Sequence, residues 1–332
     1  MNDPTIDPSG PGVTQPASAQ EFQLAPLTTG QVLDRTFALY RSHFLLFAGL
    51  AVFPAAVSLL FGLVRIAYLL ATHTPLDGSG GAPLSRPYLV NLGLVLVGGF
   101  FRICVYGISV SATTWCIARI YLGEPATMKS GFDFAFRKWF RYLLLAMAQF
   151  WFAFWLPTLA MFAAVILAAV AGSFGGIGNL AAGFLIVAVV IGYLVWLVIS
   201  SIRVALAIPV CVVEGQKIVA SIRRSRALLV SRKVRIFLLF LFMVALESVL
   251  FSILLPMAIL LPKMGPNGHL IYQLTTLLLG FIYGVLVSPI AAVGLCLFYF
   301  DERVRREGFD IEYLMSRSAP PPPPAPEAIP IP

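Results

Sequence analysis

Residues 142–202 read YLLLAMAQFWFAFWLPTLAMFAAVILAAVAGSFGGIGNLAAGFLIVAVVIGYLVWLVISSI, 61 positions without one Asp, Glu, Lys, Arg or His. Water gives such a stretch nothing to face. A bilayer does, and each helix that crosses its hydrocarbon core of roughly 30 Å needs about 20 apolar residues. The stretch is too long for one crossing. Gly172, Gly175, Gly176 and Gly178, with Asn179, mark a tight turn in its middle. It reads as a hairpin of two membrane-spanning helices.

The same criterion, applied outward, predicts spans at about 44–70, 89–118, 142–171, 179–209, 236–261 and 270–300. Composition agrees: of 332 residues, 59% are hydrophobic and only 11% charged. A soluble domain carries roughly 25% charged residues. With a mean hydropathy of +0.89, the chain has too little polar surface to cover an aqueous globule. The expected class is all-α, a polytopic bundle of about six transmembrane helices. A membrane domain over residues 28–314 is flanked by an N-terminal tail, 1–27, and a Pro-rich tail, 315–332, both expected to be disordered. The N-terminal stretch has Asp3, Asp7 and Glu21 but no Lys or Arg before residue 30, unlike a signal peptide.

Orientation follows from the distribution of cations. Segments 1–43, 119–141, 210–235 and 301–332 hold 2, 5, 7 and 4 Lys or Arg residues, whereas the alternate loops hold only Arg86 and Lys263. Both ends are therefore expected on the cytoplasmic side of a cell membrane.

A repeat underlies this distribution. Before each odd-numbered span lies a basic amphipathic segment: 30–43 with Leu33, Phe37, Tyr40 and Phe44 on one face; 129–141 with Phe132, Phe136, Trp139 and Phe140; and 217–235 with Ile218, Ile222 and Leu229. Apolar residues at helical spacing predict interfacial helices. Arg41, Arg137 and Arg232 recur 96 and 95 positions apart, each just before membrane entry. The chain reads as three units, each a cytoplasmic interfacial helix followed by a transmembrane hairpin. Anionic headgroups are the expected partners of Arg41, Arg137, Lys138, Arg141, Arg223, Arg224, Arg232, Lys233 and Arg235.

Several stretches resemble the bacterial membrane-domain family named after glycerophosphoryl diester phosphodiesterases. They are Leu33-Asp34-Arg35-Thr36-Phe37-Ala38-Leu39-Tyr40-Arg41, then Pro209 to Gly215 with Arg224 to Val230, and above all the ending from Tyr299 to Asp310. The resemblance spans roughly residues 28–314. It departs at Ser231 to Ile236, where family members often carry Gly and a Trp. It implies a membrane domain of undefined activity, at times fused to a soluble phosphodiesterase. That catalytic part is a barrel of about 250 residues, and no segment outside the spans is long enough to hold it.

The residues offer little chemistry. No H-E-x-x-H, G-x-S-x-G or P-loop pattern occurs. His73 with Asp77 in a loop, and the hairpin glycines, read as ordinary loop polarity and a turn. The four cysteines, Cys104, Cys116, Cys211 and Cys296, lie in apolar runs with no paired spacing. No metal, cofactor or nucleic-acid partner is expected. Charges inside spans are the best leads, because a buried charge is costly and marks a partner or a pathway. Glu247 and Arg102 fall near mid-depth and Arg203 nearer the cytoplasm. A pairing of Glu247 with Arg102 or Arg203 is expected, either fixing the packing or serving a substrate or proton. Arg65, near an outer end, is expected to snorkel. Small residues at Gly107 and Ser111, and at Gly280, Gly284 and Ser288, suit close helix contact. Pro54, Pro157, Pro256 and Pro289 should kink their helices.

The expected function is that of a non-enzymatic membrane protein, a scaffold or a domain that contacts lipid or a membrane-protein partner. The alternative is a transporter or channel for a small or lipidic solute. A polar cavity reaching Arg102 or Glu247 would favour the alternative, and a filled centre would favour the scaffold.

Overall fold

Each of the three units folds as a short helix followed by a long apolar hairpin. The computed structural model describes residues 27–75, 85–173, 175–229 and 233–308, together with Ile311. The tail residues 1–26 and 315–332, Asp77 and Arg232 lie outside the described residues. In the first unit α1 (Thr29–Ser42) leads into α2 (Phe44–Ala71) and α3 (Arg86–Tyr121). In the second, α4 (Met128–Arg137) leads into α5 (Trp139–Phe150), α6 (Leu156–Gly172), α7 (Gly176–Val204) and α8 (Ala207–Val213). In the third, α9 (Ile218–Leu229) leads into α10 (Lys233–Leu260), α11 (Pro266–Leu286) and α12 (Ser288–Glu307). Among the described residues there is no strand. Six helical runs are long and apolar enough to cross a membrane: Phe44–Ala71, Arg86–Tyr121, Trp139–Gly172, Gly178–Val213, Val234–Met264 and Asn267–Glu307. The architecture is that of a multi-pass membrane bundle.

The short helices end earlier than the sequence suggests. Thr28 and Thr127 start α1 and α4 with capping boxes, closed by Gln31 and Ser130. The chain then turns at a single residue, His43 (φ −122°, ψ 33°) or Lys138 (φ −129°, ψ 30°), and enters the span. Arg141 therefore belongs to the first turn of a span, and Lys233 and Arg235 to the first turn of α10. Each hairpin's return helix ends in the same way: Gly123, Gly215 and Gly308 all adopt positive φ, a conformation only glycine reaches without strain.

Packing follows a cyclic order. The short helix of each unit rests on the return span of the unit before it: α4 on α3, α9 on α7 and α8, and α1 on α12. Each return span also meets the first span of the next unit, α3 against α5, α7 against α10, and α11 against α2. The ring therefore closes on itself. Small residues allow the close approaches: a Cβ on Gly107 would lie 2.8 Å from the Ala146 Cβ and 2.9 Å from the Tyr142 carbonyl oxygen. On the Gly284 side the Ala55 methyl is 3.3 Å away, whereas Gly280 faces open space. Ser109 reinforces the first hairpin by donating to the Leu50 carbonyl, 2.7 Å away.

Proline makes the joints. Pro157 follows a π-helical turn, Trp151–Trp155, that separates α5 from α6. Pro289 follows the α11–α12 break at Val287. Pro209, which the sequence reading placed at the end of a span, instead sits in α8 behind a break at Ala205 and Leu206. A proline lacks its N–H and crowds the preceding turn, so carbonyls upstream lose their helical partners. Neighbouring side chains take them. Tyr40 Oη donates to the Leu286 carbonyl at 2.6 Å, Gln149 Nε2 to Val204 at 2.7 Å and Ser225 Oγ to Arg203 at 3.0 Å. This accounts for Gln149 in the otherwise apolar end of α5.

Candidate functional site

Two regions gather the polar chemistry, one at the basic end of the bundle and one at its centre. At the basic end lie α1, α4, α9 and the adjoining span termini, and the buried core concentrates there. Asp301 and Glu302 of α12 are 1% and 0% exposed. Arg235 Nη1 meets Asp301 at 2.8 Å and Glu302 at 3.3 Å. Arg305 reaches Asp301 at 3.1 Å and Arg306 reaches Glu302 at 3.6 Å. The same groups hold the chain at Leu27. Its N–H donates to Asp301 at 2.6 Å, and its carbonyl accepts from Arg235 at 2.7 Å and from Arg305. A second network joins Glu214 to Tyr299 Oη at 2.9 Å and to Arg224 at 3.3 Å. It continues from Arg224 to Glu307, and from Glu307 to Arg303 at 3.1 Å. Partial burial works against the Arg224 charge, but Glu214 and Glu307 outweigh it and hold its pKa above the ordinary value.

These networks divide the cations expected at lipid headgroups. Arg41, Arg137, Lys138 and Arg223 are exposed. Arg141 is half-buried and donates to the Gly215 carbonyl at 2.6 Å. Arg224 is half-buried in its network, and Arg235 turns inward because two buried carboxylates need its charge, so neither is free for headgroups. Arg232 is outside the described residues, and Lys233 is placed only as the first residue of α10. Next to Arg137 and Lys138, Phe136, Trp139 and Phe140 are about half exposed, a pairing of rings and cations that suits a membrane–water boundary.

At the centre, residues from α2, α3, α5, α7, α8, α10, α11 and α12 enclose a cavity of about 840 Å³. Its walls are largely apolar, with Phe150, Phe281 and Met243 among them. Arg102 of α3 and Glu247 of α10 both line it. The expected pair is not formed. Among the described residues no ion pair joins Glu247 to Arg102 or Arg203; the two cavity charges belong to different helices, α3 and α10, and both are exposed. Arg203 is exposed and does not line the cavity. The hydroxyls of Ser58, Thr114 and Thr276 are bonded to carbonyls one turn back on their own helices, and Gln149 is held by Val204. Arg102, Glu247 and the hydroxyls of Tyr106 and Tyr283 make no such bond among the described residues. Tyr283 and Glu247 line the same cavity from the neighbouring helices α11 and α10.

A smaller cavity of about 220 Å³ adjoins it, sharing Thr276 and Leu277. Arg65 lines this space and, instead of snorkelling, donates to Asn91 at 2.9 Å and to Gln273 at 3.4 Å. Leu277 seats where a Cβ on Gly62 would come within 2.3 Å of it.

No family model, curated protein or solved structure matches this chain. Chemistry at the site is therefore read from its geometry alone. Among the described residues no three His, Cys, Asp or Glu side chains gather in one place. The volume lies in the range of roughly 300–1,000 Å³ common to small-molecule sites. An apolar wall with two separated charges suits a molecule that is mostly hydrocarbon and partly charged.

The basic-end networks escaped the sequence reading, although a signal was present. Asp301 with Arg305, Glu302 with Arg306 and Arg303 with Glu307 all stand at i, i+4 in D-E-R-V-R-R-E. That spacing says the charges pair, but it does not say that the acidic ones are buried.

Proposed function

We propose that this chain is a non-enzymatic membrane protein that takes a lipidic or other amphiphilic solute into its bundle, as a transporter or carrier of that class. The observation that carries the reading is the central cavity reaching both Arg102 and Glu247. Arg102 and Glu247 are exposed to this space at mid-depth of their spans. A scaffold has no use for two unpaired charges at a depth where charge is costly until it finds a partner. The cation distribution supports cytoplasmic termini, with Arg41, Arg137, Lys138 and Arg223 against anionic headgroups of a bacterial inner membrane. The resemblance to the membrane domain of the glycerophosphoryl diester phosphodiesterase family belongs to the same reading and adds no activity to it.

The test is occupancy. Protein extracted in mild detergent is weighed intact by native mass spectrometry, and wild type should retain an amphiphile of lipid mass. Ala292→Trp fills the cavity and should abolish retention. Leu180→Trp, at a position 78% exposed on the bundle surface, should preserve it. Retention by Ala292→Trp equal to wild type, or none by wild type, overturns the reading.

A further inference from the structure

The cavity charges come as two subsites of opposite sign. Arg102 and Tyr106 stand one turn apart on α3, so a guanidinium and a hydroxyl can converge on one anionic group. Glu247 on α10 and Tyr283 on the neighbouring α11 both line the cavity and make up the other subsite, a carboxylate and a hydroxyl available to a cation. None of the four polar side chains makes a hydrogen bond or an ion pair among the described residues. An anionic ligand would satisfy Arg102 but leave Glu247 facing a second negative charge in a medium of low dielectric. A cationic ligand has the converse fault. A neutral hydrocarbon would satisfy neither. A molecule with both charges and apolar chains satisfies all of the groups.

We propose that the cavity selects a zwitterionic phospholipid, with its phosphate at Arg102 and Tyr106 and its ammonium at Glu247 and Tyr283. The apolar walls take the start of the acyl chains. Of the three junctions between units, α7 and α10 touch most sparsely, and the chains pass between them into the bilayer. This assignment rests on the cavity being a solute site, and it adds the headgroup chemistry.

The experiment uses the full chain in detergent with equal amounts of phosphatidylethanolamine and phosphatidylglycerol, and the bound species are counted by native mass spectrometry. Wild type should prefer phosphatidylethanolamine by about tenfold or more, the effect of one contact between charged groups. Glu247→Gln should abolish that preference while phosphatidylglycerol still binds. Arg102→Gln should weaken retention of both lipids by about tenfold. A ligand-side version needs no variant: phosphatidylethanolamine with its amine acetylated should bind wild type about tenfold more weakly than the parent lipid. Soluble glycerophosphoethanolamine at the same concentration should leave the bound lipid in place. Equal retention of the two lipids by wild type, indifference to acetylation, or displacement by the soluble headgroup overturns the assignment. Lipid retained without headgroup preference would leave the cavity a solute site and sink only this inference. A cavity that retains no amphiphile would sink both.

Discussion

Replacing Arg235 with Met removes the cation that stands between two buried carboxylates and leaves a side chain of similar length. Asp301 and Glu302 are 1% and 0% exposed, and Arg235 contacts them at 2.8 and 3.3 Å. Deleting one partner of a buried ion pair costs about 3–5 kcal/mol, because the remaining charge stays desolvated. Arg305 and Arg306 still reach the same carboxylates, at 3.1 and 3.6 Å, which places the loss near the lower end, about 3 kcal/mol. At roughly 2–4 °C per kcal/mol for larger chains, the Tm should fall by about 6–12 °C. The protein carries its own reporters. Cys116, Cys211 and Cys296 are at most 1% exposed, so a thiol-reactive dye should label them only as the bundle opens on heating. A Cys104→Ser background removes the one thiol that is not fully buried. Arg41→Met, at an exposed position of α1, should shift the transition by no more than about 0.5 kcal/mol. A drop below about 2 °C in Arg235→Met, equivalent to less than about 1 kcal/mol, would refute the claim that Arg235 holds the buried acids.

Tyr40→Phe should cost about 1–3 kcal/mol in the same assay, since the Leu286 carbonyl freed at the α11–α12 break loses its donor. Tyr299→Phe should cost about 1 kcal/mol, because Glu214 keeps Gln216 and Arg224 when the phenol is lost. Gly107→Ala should destabilise by about 1–3 kcal/mol by forcing α3 from α5, while Gly280→Ala, with open space around it, should be neutral or slightly stabilising. The reverse order of those two transitions would contradict the packing. Single cysteines at Lys138 and at Thr74, introduced with the native thiols removed, should react with an impermeant reagent from opposite faces of the membrane. Labelling of both from one face would break the three-hairpin topology.

What the sequence made legible is what composition and periodicity control. The charge-free run at 142–202 became a hairpin turning at Gly172 and Gly175, and the three basic amphipathic segments became α1, α4 and α9. Boundaries drifted where a tertiary contact decides them. Trp139 and Phe140 continue the apolar stripe of α4 on paper, but the chain turns at Lys138 and hands them to a span. Pro209 was missed as a joint because it stood at the end of an assigned helix, where a proline needs no explanation. The site was only half legible. Intramembrane charge pointed to Arg102 and Glu247, but whether they meet depends on which faces of α3 and α10 look inward, and no local pattern records that. Arg235 looked like its basic neighbours because a charge count treats every cation as exposed. Its buried acids lie 66 and 67 positions further along the chain.

The order of synthesis gives the cyclic packing a cost in time. Among the described helices α1 is made first, yet the surface it rests on belongs to α12, made last. Roughly 260 residues separate them, so at about 5–20 residues per second the first helix waits tens of seconds for its seat. Throughout that interval Leu39 and Val32, buried in the finished bundle, have no place to pack except the membrane surface. A ribosome that stalls before Asp301 leaves Leu27 without the acceptor of its N–H and with Arg235 alone on its carbonyl. Synthesis of α12 and closure of the ring are then a single event, and a chain cut short before it shows itself by an amphipathic helix still lying loose on the bilayer.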